Sequence, residues 1–325
     1  MGRAAGGGEI GQWGDCMARK SLRERIGQGL FLLDGAMGTQ LFARGVEVGA
    51  CNDYLNVKSP DVVCEVHRAY LNAGSDAVLT NTFGANRVAL KRYGLADQAQ
   101  RINQAGARIA RRAAGGEKYV LGDIGPSGEF LEPLGTLKAE ALKDAFAEQA
   151  RALLAGGVDG LIIETMTALD EIAVAIEAAK SVCGDLPLFA SMSFDRAGDD
   201  FKTMMGVDVT SAVGDIVSLG VDAVGFNCGI ATLNEYVELA AKFVSAVEAL
   251  EKTALASHGS LVTILAEPNA GRPELVDGQA IYRVSPEDFA SAAKKIHSAG
   301  VNIIGGCCGT GPEHIEAVAK AQWTW

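Results

Sequence analysis

Four stretches of this chain follow one design: AGSDAVLTNTF, GGVDGLIIETM, LGVDAVGFNCG and AGVNIIGGCCG. Each reads glycine, a small or β-branched residue, Asp or Asn, an apolar run, then polar residues. Glycine stops a helix by taking a left-handed conformation that other residues resist, and a buried strand follows at once. That is the joint of a βα repeat. Apolar runs at Leu30–Leu33, Ala77–Leu79, Tyr119–Leu121, Leu161–Ile163, Leu188–Met192, Ala223–Phe226, Leu261–Ala266 and Asn302–Ile304 mark eight strands. Helix-like stretches lie between them, among them Pro60–Leu71, Ala139–Leu154, Leu169–Val182, Leu233–Leu250 and Pro286–His297. Ser59-Pro60, Thr232 with Glu235, and Ser285-Pro286 with Asp288 read as helix starts, and Gly74, Gly157, Gly220 and Gly300 as stops. Eight such repeats with no Pro- or Ser-rich linker predict an α/β fold, a (β/α)8 TIM barrel in a single domain. An open doubly wound sheet is the alternative, but no G-x-G-x-x-G turn follows the first strand.

The chain has 325 residues, 48% of them hydrophobic, which is ample for one large core. A net charge of −11 argues against a nucleic-acid face, and no apolar run is long enough to span a membrane. Residues 1–20 are glycine-rich and lack the apolar run of a secretory signal, so they read as a flexible extension ahead of a barrel domain at 21–325. Seven cysteines, an odd number, without an export signal predict reduced thiols in the cytoplasm rather than a disulfide framework. Cys64 and Cys183 read as small buried hydrophobes, Cys16 belongs to the tail and Cys51 to a loop.

In a barrel of this kind chemistry collects where the strands end. Polar residues crowd those ends: Asp34-Gly35-Ala36, Thr80-Asn81-Thr82, Asp123, Glu164-Thr165, Ser193, Asn227-Cys228, Glu267-Pro268-Asn269 and Cys307-Cys308. Cys228 ends the sixth strand and Cys307-Cys308 the eighth, so all three thiols can meet at one mouth. Three soft ligands suit zinc and leave a fourth position open, as catalytic sites require. The alternatives are a vicinal disulfide at Cys307-Cys308 or buried small residues. None of the four histidines, His67, His258, His297 and His314, falls at a strand end, so a triad or di-metal centre has no support, and each reads as a surface or satisfied core residue. His297 lies in H-x-x-G, but Lys295 stands where a cobalamin-binding D-x-H-x-x-G needs aspartate. Asp34 and Glu164 suit a general acid/base pair, a metal pair, or anchors for an ammonium group. Main-chain N–H groups of the glycine loop beside Asp34 suit a carboxylate. Ammonium plus carboxylate describes an amino acid.

The segments LLDGAMGTQL, TNTFGAN, GDIGPSG, IIETM, GFNCG, EPNAGRP and GGCCGTGPEHI resemble the homocysteine S-methyltransferase family, and most closely the homocysteine-binding module of cobalamin-dependent methionine synthase. They span Leu32 to Ile315, nearly all of the chain beyond its tail. The resemblance implies a (β/α)8 barrel with zinc on Cys228, Cys307 and Cys308. It implies substrate binding by Asp34, Gly35, Ala36, Thr82 and Glu164, with the amino group of homocysteine on the two acids and its carboxylate on the loop. Asn269 matches an asparagine that fills the fourth zinc position when substrate is absent. The implied activity is methyl transfer to homocysteine, with methylcobalamin on a separate corrinoid protein as donor. A small sulfonium or ammonium donor of the S-methylmethionine or betaine type is the alternative, and a non-catalytic zinc-binding barrel or a metal-free lyase with a redox Cys307-Cys308 pair lies outside the family.

Overall fold

A computed structural model describes residues 19–252, 262–276, 279–321 and 323. Eight strands carry the fold: β1 (Phe31–Leu32), β2 (Ala77–Leu79), β3 (Tyr119–Ile124), β4 (Gly160–Met166), β5 (Leu188–Met192), β6 (Ala223–Asn227), β7 (Thr263–Glu267) and β8 (Ile303–Ile304). They form one all-parallel sheet in the order β1-β8-β7-β6-β5-β4-β3-β2. The helix after each strand packs outside: α1 (Pro60–Ala73), α2 (Ala99–Ala114), α3 (Ala139–Gly156), α4 (Leu169–Cys183), α5 (Val209–Ser218), α6 (Leu233–Lys252), α7 (Pro286–Ser298) and α8 (Pro312–Lys320). All eight expected strands exist, though Leu261 lies outside the described residues.

The starts and stops are mostly those expected. Gly74, Gly157, Gly220 and Gly300 all have positive φ. Thr232 and Glu235 exchange hydrogen bonds at the head of α6, and the Ser285 hydroxyl accepts the Asp288 N–H at 3.1 Å. Ser59 differs: its side chain makes no capping bond, and Pro60 alone opens α1.

Side-chain alternation along the strands builds two apolar layers. Phe31, Tyr119, Leu121, Ile162, Phe189 and Leu265 fill the barrel, closed below by Leu22 and Ile26 of the short helix Leu22–Ile26. Their neighbours Leu32, Val120, Leu161, Ile163, Ala190 and Ala266 face the helices, against residues such as Phe146, Ile172 and Phe243. Continuing the inward parity up each strand leads to Asp123, Glu164, Ser191, Asn227 and Glu267, so the top layer of the barrel interior is polar.

The Asp of the repeated joint has a structural task. Asp76, Asp159 and Asp222 each donate their N–H to a neighbouring strand (to Leu32, Val120 and Leu188 O at 2.7–2.8 Å) and accept an N–H of that strand on the carboxylate at 2.8–3.0 Å. Each also pairs with an arginine at the barrel base: Arg25 with Asp76 at 2.8 Å, Arg19 with Asp159 and Arg23 with Asp222, both at 2.5 Å. Arg19 therefore belongs to the barrel base rather than to the extension expected over residues 1–20; residues 1–18 lie outside those described. β1 and β2, the two ends of the ladder, are stitched by Asp76 at the bottom and by Asp34 at the top, whose Oδ2 accepts the Leu79 N–H at 3.1 Å.

Candidate metal and substrate site

Cys228, Cys307 and Cys308 meet at the top of the barrel with their sulfurs within 4.8 Å of one another. The sulfurs of Cys228 and Cys308 are 3.9 Å apart, and all three are free thiols, so the vicinal disulfide alternative is not what the structure holds. Among the described residues this is the one group of three His, Cys, Asp or Glu side chains close enough to hold a metal ion.

Main-chain bonds hold this arrangement. After β8, Gly306 donates to Asp34 O at 2.9 Å and Cys307 to Pro268 O at 2.9 Å, while the Thr310 hydroxyl donates to Cys307 O at 2.6 Å. A Cβ on Gly306 would lie 2.5 Å from the Thr310 hydroxyl, so this close turn requires glycine. Cys228 sits at φ +57, a left-handed conformation that costs about 1–3 kcal/mol outside glycine. The Tyr236 hydroxyl, donating to Cys228 O at 2.6 Å, and the Cys228 N–H on Glu267 O at 3.2 Å hold it there. Hydrogen bonds from Cys228 and then Cys307 pull the Cys308 thiol down to about 3, whereas Cys307, bonded to Cys228 and Cys308, is pushed up.

Beside the thiols, Asp34, Asp123, Glu164 and Glu267 line a cavity of about 990 Å³. All four are buried. Burial raises each of them above the carboxylate range, with Asp123 and Glu267 raised further by the charge of Glu164; Glu164 itself reaches about 8, through burial and then the Cys308 charge. Asn227 ties this layer to the thiols. Its Oδ1 accepts the Thr165 N–H and the Ser191 hydroxyl, both at 2.8 Å. Its Nδ2 donates to Glu164 Oε2 at 3.0 Å and Thr165 Oγ1 at 2.6 Å, and lies 3.9 Å from Cys307 Sγ.

The expected substrate residues divide. Asp34, Gly35, Ala36 and Glu164 line the cavity. The Ala36 N–H is already given to Thr310, at 3.2 Å to both its carbonyl and its hydroxyl, so it is not a free donor for a carboxylate. Thr82 is fully buried behind the wall, its hydroxyl shared with Thr80 at 2.6 Å and Asp123 O at 2.7 Å. Asn269 donates to Gly229 O at 2.5 Å, and its Oδ1 is buried with no partner. Asp123, Asn227, Glu267 and Tyr282 were not singled out in sequence as site residues. The first three were legible from strand parity, two positions beyond Leu121, Gly225 and Leu265. Tyr282 had no such signal: it follows the antiparallel pair Glu274–Val276 and Gln279–Ile281, lines the cavity, and packs where a Cβ on Gly309 would be 2.1 Å from its ring.

Cys64 and Cys183 are buried as expected, and the Cys51 thiol lies 3.8 Å from Asp53. Cys16 and His258 lie outside the described residues. His314 is satisfied by Gly311 and Val284, and His297 contacts Val301 O at 2.7 Å. His67 departs from expectation: both ring nitrogens are buried without a partner, and burial pushes it down to about 4, so the ring is neutral.

A family profile described as homocysteine S-methyltransferase matches residues 31–322. The chain belongs to this family. Its sequence is 35% identical over 321 residues to the methionine synthase of Mycobacterium tuberculosis and 34% identical to that of Mycobacterium leprae. The match covers 92% of this chain but 25% of each relative, so the chain spans about a quarter of the length of these curated relatives. In fold it is similar to the metallated form of the homocysteine methyltransferase MmuM from Escherichia coli, with a TM-score of 0.69 over 90% of this chain and 96% of that one, at 24% identity. The apo form of the same protein gives a TM-score of 0.66. The fold of this family member is therefore the expected (β/α)8 barrel. Among the described residues no helix is long and apolar enough to cross a membrane.

Proposed function

We propose that this chain is a zinc-dependent S-methyltransferase that moves a methyl group to homocysteine, forming methionine, with methylcobalamin on a separate corrinoid protein as donor. The observation that carries this reading is the convergence of three thiols and a buried acid layer in one cavity. In a tetrahedral ion with Zn–S bonds of about 2.3 Å, two sulfurs lie about 3.8 Å apart. The 3.9 Å between Cys228 and Cys308 fits that edge. Membership of the family supports the acceptor, the methionine synthases among its relatives support the product, the resemblance of the sequence segments to the cobalamin-dependent module supports the corrinoid donor, and the metallated form of the Escherichia coli neighbour supports the metal.

Zinc held by Cys228, Cys307 and Cys308 would supply a Lewis acid that keeps an acceptor thiol deprotonated at neutral pH. The rest falls to the protein. Cys228, Cys307 and Cys308 bring three negative charges, which keep an acceptor sulfur electron-rich. The acid layer, Asp34 and Glu164 among it, draws in the amino group and fixes the reach of the side chain to the thiols. The glycine loop at Gly35, which lines the cavity, is the place for the acceptor carboxylate. Asn269, whose Oδ1 is buried without a partner, is the amide that would be offered to the metal in the absence of substrate. We place the enzyme in the cytoplasm, where such thiols stay reduced.

A second reading, a small cationic donor of the S-methylmethionine or betaine type, is favoured by the four acids of the cavity, whose ionised forms a sulfonium or quaternary ammonium group would stabilise. A donor screen decides between them. Zinc-loaded protein with homocysteine is given methylcobalamin, S-methylmethionine, S-adenosylmethionine or betaine, and methionine is measured. Methionine from methylcobalamin alone is the expected result, and methionine from none of the four would sink the assignment of the reaction.

A further inference from the structure

Two loops frame the cavity where β1 lies beside β8. The glycine loop after β1, Asp34-Gly35-Ala36, lines one part of it, and the loop after β8, Gly306-Cys307-Cys308, presents two of the three sulfurs. Both loops rest on the same two hydroxyl side chains, Thr310 just before α8 and Tyr70 in the last turn of α1. Both of these residues are fully buried.

Thr310 binds each loop with a different part of its bonding capacity. Its hydroxyl donates to Cys307 O at 2.6 Å, so its one proton is committed to the thiol loop. The same oxygen accepts the Ala36 N–H at 3.2 Å, and the Thr310 carbonyl accepts that N–H at 3.2 Å as well. The Tyr70 hydroxyl lies 3.0 Å from both Ala36 O and Thr310 O, so its single proton is shared across the joint. Glycines leave the contact no slack. A Cβ on Gly35 would stand 2.7 Å from the Thr310 hydroxyl and 3.0 Å from the Tyr70 ring, and one on Gly306 would stand 2.5 Å from that same hydroxyl. Two further bonds close the joint: Gly306 N–H to Asp34 O at 2.9 Å, and Gly309 N–H to Thr39 Oγ1 at 3.3 Å. Cys228 is held differently, by Tyr236 and the Glu267 main chain. Cys307 is thus the sulfur ligand whose anchor is also the anchor of the glycine loop.

We infer that Thr310, braced by Tyr70, is a positioning residue that couples metal loading to the glycine loop. Fixing the Cys307 side chain on a metal ion fixes its carbonyl on Thr310, and Thr310 in turn holds Ala36 and Gly35. This rests on the proposed metal at the three thiols and the proposed acceptor at the glycine loop. The loaded site then meets the acceptor with its loop already ordered, and an acceptor on that loop tightens the metal by the same factor.

Hydrogen exchange over residues 34–39 is followed by mass spectrometry in zinc-free and zinc-loaded protein, with no acceptor present. In wild type zinc slows exchange there by about fivefold or more, the lower end of coupling between sites. Thr310→Val keeps the volume but removes the hydroxyl; it still takes up zinc, yet the segment exchanges alike with and without the metal. Thr310→Ser restores the zinc response. Tyr70→Phe, should the valine variant fail to fold, cuts the response to less than about half. A full zinc response in Thr310→Val, or in Tyr70→Phe where that variant stands in for it, would overturn the coupling role, as would wild type that binds zinc without any change in exchange. Wild type that takes up no zinc would instead overturn the proposed metal, and this inference with it.

Discussion

Asn227 shows how much a single amide carries at this site. It satisfies the N–H of Thr165, itself at φ +60, and the Ser191 hydroxyl, and it donates to Glu164 and Thr165. Two left-handed non-glycine residues, Thr165 and Cys228, therefore stand on or beside its bonds, and both sit where the chain must aim a side chain into the cavity. Asn227→Ala leaves the Thr165 N–H and the Ser191 hydroxyl without acceptors in a buried place. A loss of about 2–4 kcal/mol in urea unfolding is expected, together with weaker metal retention against a chelator. Asn227→Asp keeps the acceptor but adds a charge beside Glu164, and it should rescue stability only at acid pH. A variant as stable as wild type would show that water replaces the amide without cost.

At the scale of elements, the arginines around the Leu22–Ile26 helix and the repeated Asp residues form one device. Each Asp carboxylate substitutes for a ladder carbonyl at a strand start and holds a guanidinium, Arg23 and Arg25 from the helix that plugs the barrel and Arg19 from just before it. These pairs are half-buried, and the ion pairing alone contributes little; the main-chain N–H they satisfy matters more. Asp76→Ala strips the acceptor from the Leu32 N–H at the open edge of the ladder and frees Arg25. The expected cost is about 2–3 kcal/mol in the denaturant midpoint, with Asp76→Asn milder. A change under about 0.5 kcal/mol would mean that β1 and β2 hold together without it.

For the whole molecule, the apolar layers and the site are separate. The thiols lie above the core and no core cluster contains them, so the barrel does not need the metal to fold. Chelator treatment, or Cys308→Ala, should remove zinc and activity yet leave a cooperative thermal transition and an unchanged far-ultraviolet spectrum; loss of the transition would make the metal structural. The acid layer gives the stripped protein a pH dependence of definite sign. Glu164 rises from an ordinary value of 4.5 to about 8 in the fold, so its protonated form is the one the fold favours. Stability is then full below about pH 4.5 and is lost as pH rises toward 8. The melting temperature of metal- and substrate-free protein should fall between pH 5 and pH 8, and a flat profile there would contradict the burial of these acids.

The recurring glycine-to-Asp joint determined the barrel, because a helix that ends at glycine and passes straight into a buried strand has few ways to pack except as parallel βα units. Counting strands placed Cys228, Cys307 and Cys308 at one mouth for the same reason: strand ends of a closed barrel share a face. Strand parity also held Asp123 and Glu267, but their neighbours across the sheet did not follow from their own segments. What each acid does was decided by tertiary structure. Asp34 also ties the seam because Leu79 of the next strand faces it, and Thr82 also clamps the Asp123 main chain because that residue lies behind it. Those contacts join residues 45 and 41 positions apart, set by how far the sheet curves as it closes, and no local pattern encodes that distance.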